Sequence, residues 1–238
     1  MYEIAPDVYL LRGTPDYVIN VYLIGNVLLD AGTRMATGGI LRQLKGRHVT
    51  AHALTHAHPD HQGASKTVCD TLNVPLWCGE ADVDAMESGN MHGQLPRNIV
   101  TRLQDVFWTG PAHPVAKALR EGDVVAGFNV INTPGHSPGH VSYWRESDRT
   151  LILGDVAKNI DFFTMRRSLS EVPHIFTMHL AQSRLSIQKL AALKPRIVCF
   201  GHGKPLYEGT KFVEFAQRLA DTDLQTRKVM VRAEKHRR

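Results

Sequence analysis

Cysteine is scarce: Cys69, Cys78 and Cys199 are the whole complement, an odd number with no C-x-x-C spacing. That argues against a disulfide framework and a thiolate zinc site, and it points to a reducing, cytoplasmic compartment. Long apolar runs are lacking too; no stretch reaches the roughly 18 continuous apolar residues of a membrane-spanning helix. The first thirty residues have no basic segment followed by an apolar run and a small-residue cleavage site, so no secretory leader is expected. No internal repeat at a solenoid period is visible. Charge of one sign is in short supply as well, with 28 Lys and Arg against 23 Asp and Glu. Much of the excess falls in the last dozen residues, at Arg227, Lys228, Arg232, Lys235, Arg237 and Arg238. This tail reads as a solvated helix end, not a nucleic-acid arm, and neither nucleic acid nor membrane is expected as a partner.

With 43% hydrophobic and 21% charged residues, the chain can bury a substantial core. It reads as a single domain over residues 1–238. Short strands are expected over Val8–Arg12, Val18–Ile24 and Val27–Asp30, the last two joined by a turn at Gly25–Asn26, which makes an antiparallel meander. A helix over Gly39–Leu44, a buried strand over Val49–Thr55, a helix over Ala64–Leu72 and a strand over Pro75–Cys78 follow. This alternation belongs to layered α/β architecture. Glu80–Arg120, punctuated by Gly and Pro, reads as an inserted cap or loop, and a second cap segment is placed near 157–176. Strand patterns return over Val124–Thr133, Val141–Arg145 and Thr150–Leu153. Helical spacing marks Pro173–Leu193, a strand Arg196–Phe200, and a closing helix Lys211–Ala220.

The segment Thr55-His56-Ala57-His58-Pro59-Asp60-His61 holds four metal donors within six residues, at the end of an expected strand. Imidazole nitrogen and carboxylate oxygen suit zinc, iron or manganese. A tight turn can aim i, i+2, i+4 and i+5 at one point, as a regular helix cannot. A solvated turn is the alternative, and a metal site then needs donors from elsewhere. They are present. His136 follows a strand in Thr-Pro-Gly-His-Ser-Pro-Gly-His, Asp155 follows Leu151–Gly154, and His202 follows Arg196–Phe200 inside Gly-His-Gly. Loops at one end of the strands of a layered sheet collect functional groups, so these donors form a coherent site.

The order H-x-H-x-D-H, then H, then D, then H resembles the metallo-β-lactamase superfamily, over nearly the whole chain from Asp30-Ala-Gly to Gly201-His-Gly. The resemblance implies a four-layer αββα sandwich of the α/β (α+β) class, with a dinuclear centre at the sheet edges. By that pattern His56, His58 and His136 hold the first ion, Asp60, His61 and His202 the second, and Asp155 bridges them. Two zinc ions are implied, with manganese or iron as alternatives. Two dications roughly 3.5–4 Å apart repel; a bridging carboxylate and a shared hydroxide offset the repulsion and supply a nucleophile near neutral pH. Asp60 is the expected catalytic residue, as a proton shuttle as well as a ligand.

Asp30 is weighed evenly between a turn former and a hydrogen-bond partner for a ligand imidazole. His140 reads as a buried, hydrogen-bonded histidine outside the ligand set. Ser137 has no base beside it and is not expected to act as a nucleophile. Trp108, Phe162, Phe163 and Phe176 are placed either on an apolar substrate wall or in cap packing, and Cys69 in the core.

Fold does not fix the reaction. An aspartate at the bridging position disfavours a dedicated β-lactamase, while leaving β-lactam hydrolysis open as a side activity. Only 36 residues follow His202, too few for the glutathione-binding domain of glyoxalase II. Lactonases and small thioesterase-like members match best in size, so the expectation is hydrolysis of a lactone, ester or thioester in a small acyl substrate. The alternatives are a mononuclear-iron persulfide dioxygenase, a phosphodiesterase or nuclease, and a scaffold without activity. Homodimerisation is left open.

Overall fold

In the computed structural model, the backbone is described for residues 1–235 and the side chains for residues 1–222. The basic tail and His236 lie outside the described side chains. Strands β1 (Tyr2–Ala5), β2 (Val8–Leu10), β3 (Tyr22–Ile24) and β4 (Val27–Leu29) form an antiparallel meander. Strands β5 (Ala51–Ala53), β6 (Leu76–Gly79) and β7 (Val115–Leu119) extend it in parallel, giving a seven-stranded sheet in sequence order. A second sheet contains β8 (Val124–Val125), β9 (Phe128–Asn132), β10 (Val141–Arg145), β11 (Thr150–Ile152) and β14 (Ile197–Cys199) in the order β14-β11-β10-β9-β8. A small ribbon, β12 (Lys158–Asn159) with β13 (Leu169–Ser170), stands apart.

Alternation along the strands builds the layers. Tyr22, Ile24 and Leu29 point between the sheets and meet Phe128, Tyr143 and Ile152 from the other side. Their neighbours Leu23 and Leu28 point outward onto Ile40 and Leu44 of α1 (Thr37–Leu44) and Val68 of α3 (Ser65–Leu72). On the second sheet Ile131, Trp144 and Leu151 face outward onto α6 (Leu180–Ala191) and α7 (Thr210–Lys235), through Ile187, Leu190 and Phe212. Both sheets are therefore buried on both faces, the expected αββα arrangement. Among the described residues no helix is long and apolar enough to cross a membrane.

Three elements depart from the sequence reading. β1 has no expected counterpart. Val124–Thr133 is a hairpin, not one strand, because Ala126 and Gly127 both adopt positive φ, 47° and 80°, at a two-residue turn. Glu80–Arg120 is not all cap: it supplies α4 (Val83–Ser88), α5 (Ile99–Trp108) and the edge strand β7. Its glycines and prolines lie between these elements instead of breaking them.

Candidate metal centre

β5 ends at Ala53, and the chain bends at Thr55 and then runs to an extended His58 before Pro59 opens α2 (Pro59–Gln62). Proline suits the first helical position because the missing N–H has no partner there anyway. His56 and His58 sit on the extended part, Asp60 and His61 on the short helix. The second sheet brings its donors to the same place: His136 after β9, Asp155 after β11 and His202 after β14. Gly135, at φ 132°, packs against the backbone of Gln182 and Ser183, a fit that no side chain allows.

All seven donors meet. Their ligating atoms fall into three overlapping groups, His56/His58/His136, His56/His61/Asp155 and Asp60/His61/His202, each within 4.8 Å. Asp155 lies at the centre: its carboxylate is 3.0 Å from His202 Nε2, 3.5 Å from His136 Nε2 and 3.6 Å from His61 Nε2. His56 Nε2, His61 Nε2, His136 Nε2 and Asp155 Oδ1 are buried with no hydrogen bond. Buried polar atoms cost roughly 1–3 kcal/mol each when unpaired, and four converging on one point are the chemistry of a cation site.

The nitrogen of each imidazole that faces away from the cluster has its own partner, and this fixes the ring. His56 Nδ1 is 3.0 Å from Thr55 Oγ1, whose hydroxyl donates to Asp30 Oδ2 at 2.9 Å. His61 Nδ1 also reaches Asp30 Oδ2, at 2.9 Å, and the Thr55 N–H donates to Oδ1 at 2.7 Å. Asp30, at φ 60°, is thus both turn former and orienter of two rings. His58 is turned round: Nε2 bonds the Gln94 carbonyl at 2.7 Å, leaving Nδ1 for the cluster. His202 Nδ1 bonds the Val18 carbonyl at 2.5 Å, and His136 Nδ1 lies 3.5 Å from Thr177 Oγ1. Such partners set tautomer and direction for a metal-binding histidine.

His140 stays out of the ligand set, as its sequence context suggests. Its Nε2 accepts the Asp155 N–H at 3.0 Å and Nδ1 bonds Thr133 Oγ1 at 2.8 Å, so it holds the backbone of the central carboxylate. Asp82 was not expected: fully buried, it accepts the Ala57 N–H at 2.8 Å and that of Gly139, tying the two histidine turns together. Ser137 is buried with no partner for its hydroxyl and no base beside it. Phe162 packs edge-on against His202, ring centroids 5.4 Å apart. Phe163 instead points into solvent, 99% exposed, and is no part of a wall. Trp108, Val18, Ile19, Met35 and Ile40 line a cavity of about 630 Å³ that backs onto His202 through the Val18 carbonyl.

Electrostatics divide the cluster. Burial, then the crowd of neighbouring imidazoles, pushes His56 well below the ordinary histidine value, and burial with His58 does the same to His136. Both are neutral, the form that binds metal. Burial also opposes charge on His61 and His202, but the carboxylates of Asp155, Asp30 and Asp60 outweigh it at His61, and Asp155 with Asp60 lifts His202 to about 10. Those imidazolium charges in turn overcome burial at Asp155 and hold its carboxyl well below the usual range. The acidic half of the site thus favours positive charge.

The sequence profile of the metallo-beta-lactamase superfamily matches residues 14–202. The probable metallo-hydrolase YflN of Bacillus subtilis is 30% identical over 88% of this chain and 91% of its own. An N-acyl homoserine lactonase of a Bacillus species is 30% identical over 66% of this chain and 57% of its own. Among solved structures, TTHA1623 in a di-iron-bound form is 26% identical with a TM-score of 0.59, covering 87% of this chain and 94% of that one. The seven converging donors, the two double-sided sheets and these matches lead to one assignment: the chain belongs to the metallo-β-lactamase superfamily, a family of metal-dependent hydrolases.

Proposed function

We propose that this protein hydrolyses an acyl bond of a small lactone, ester or thioester, using two metal ions, zinc foremost. His56, His58 and His136 would hold one ion, Asp60, His61 and His202 the other, with Asp155 between them. Two ions so held polarise a carbonyl oxygen and lower the pKa of water toward neutrality. The observation that carries the reading is the set of four buried, unpaired donor atoms converging from both sheets.

The protein's own groups supply the rest. Asp30, Thr55, Gln94 and Val18 keep the imidazoles aimed, so no reorientation is needed when substrate arrives. Asp60 is only partly buried and its Oδ2 lies 3.3 Å from His202 Nε2, so it can take up a proton at Oδ2 and pass it to a leaving group. In the cavity beside Trp108, Val18, Ile19, Met35 and Ile40 offer an apolar wall to the hydrocarbon part of an acyl substrate, with Arg12 and Arg42 also on the lining. The similarity to an N-acyl homoserine lactonase supports the same substrate class.

The test is metal content by mass spectrometry on protein purified without added metal, joined to a screen of lactone, thioester, β-lactam and phosphodiester substrates. About two ions per chain with lactone or thioester turnover is the expected result. One iron per chain with oxygen uptake and no hydrolysis would replace the proposal by an oxidative one.

A further inference from the structure

The rim of the metal centre carries exposed apolar side chains on several sides. On α5, Ile99, Leu103, Val106 and Phe107 fall at helical spacing and are all exposed, while Thr101 turns inward. The helix is firmly built, since Asn98 and Thr101 form a reciprocal cap at its start. It packs on α2, which carries Asp60 and His61. The Asn98 side chain also donates to the Ile175 carbonyl at 2.7 Å, next to the turn whose Thr177 orients His136, and Ile175 is itself exposed. Beyond His202 and Phe162, residues 161–166 form a tight turn. There Asp161 Oδ1 accepts the N–H groups of Phe163 and Thr164, and its backbone bonds Met165 and Arg166. That turn holds Phe163 and Met165 outside the protein. Met35 is exposed on a further segment, which reaches the centre through the contact between Ala31 and His61.

Arginines accompany these groups. Arg97 and Arg102 flank the α5 stripe, Arg166 follows Met165, and Arg34 precedes Met35; all four are exposed and make no ion pair among the described residues. Of the nearby acids, Glu171 pairs with Arg184, while Asp105 and Asp161 accept from the Thr109 hydroxyl and from backbone N–H groups and keep their charge, so the arginines still outnumber them. Apolar groups mixed with unpaired cations are the composition of a surface that lies on an anionic bilayer. A second copy fits less well, because a two-fold contact on this face would set arginine against arginine.

We propose that this rim docks on an anionic lipid surface, with Phe163 and the α5 stripe entering the headgroup layer and the arginines meeting lipid phosphates. Docking of this kind needs no spanning helix, so it departs from the sequence reading only in adding a membrane surface as a partner. It is independent of which acyl bond is cleaved.

The experiment is co-sedimentation of the metal-loaded protein with vesicles of phosphatidylcholine alone and of equal parts phosphatidylcholine and phosphatidylglycerol. Two variants accompany it, L103E/F163E and R102E/R166E, with circular dichroism and the thermal midpoint as the check that each is folded. The expected result is about tenfold or greater partitioning onto the anionic vesicles, lost in both variants while their spectrum and thermal midpoint match the wild type. Equal partitioning onto both vesicle types, or none onto either, would overturn the proposal. So would a dimer by light scattering that L103E/F163E dissociates, since the face would then belong to a second copy.

Discussion

At the scale of single residues, roles separate by what each group touches. Asp60 reaches the centre from its open side, so Asp60→Asn is expected to lower turnover by about 10²-fold or more while the His56/His58/His136 group keeps its ion. Parallel loss of activity and of all bound metal would show a purely structural role. Asp30 orients two rings at once, and Asp30→Asn should weaken metal binding about 10- to 100-fold in a chelator competition. Asp82 gives a pH dependence. Burial raises its carboxyl to about 7, against the hydrogen bonds from Ala57 and Gly139, whereas the unfolded chain titrates near 3.8. An acid whose pKa is raised on folding leaves its full stability below the unfolded value, and that stability is lost as pH rises through the folded value. The contribution of Asp82 is therefore lost between about pH 4 and pH 7, by up to about 4 kcal/mol, so the stability of wild type relative to Asp82→Asn should fall from pH 5 to pH 8 in urea titrations. All seven donors were legible in the sequence because imidazole and carboxylate at strand ends are conspicuous. Thr55, Thr177 and Asp82 were not, since a hydroxyl or a lone acid carries no spacing signal. The carbonyls of Val18 and Gln94 were further out of reach, because every residue has one.

At the scale of elements, the donors depend on how closely turns approach one another. A Cβ at Gly201 would run into Asp155 Oδ1 and lie 2.7 Å from His61 Cε1. Gly201→Ala should therefore leave less than one ion per chain by mass spectrometry even if the protein folds; a full complement of metal would show that the turn yields. Elements with a strong period were readable: α1, α3, β10, β11 and β14 fall within a few residues of expectation. β1 escaped because it is only four residues long, with Tyr2 and Ile4 half-buried and Ala5 alone buried. The α5 region was mistaken for cap because glycines and prolines punctuate Glu80–Arg120, and they lie on either side of the helix instead of within it. The edge strand β7 was hidden by mixed burial and a lysine at its centre.

For the whole molecule, metal and fold are coupled. Four donors come from the sheet that ends in β7 and three from the sheet that begins with β8. Removing metal with a chelator should lower the thermal midpoint by several degrees, since a ligand that binds only the folded state stabilises it by mass action. An unchanged midpoint would mean that the two halves are held by their shared core alone. The division has a further consequence. The boundary between the sheets falls at the exposed Glu121–Gly122 turn, and each side supplies one complete half of the sandwich. Two separate polypeptides, one ending and the other beginning there, would each carry an incomplete set of donors, and the ions would act as a rivet through both. Activity regained on mixing such fragments, and only with metal present, would make this protein a two-part lock whose key is the cation itself.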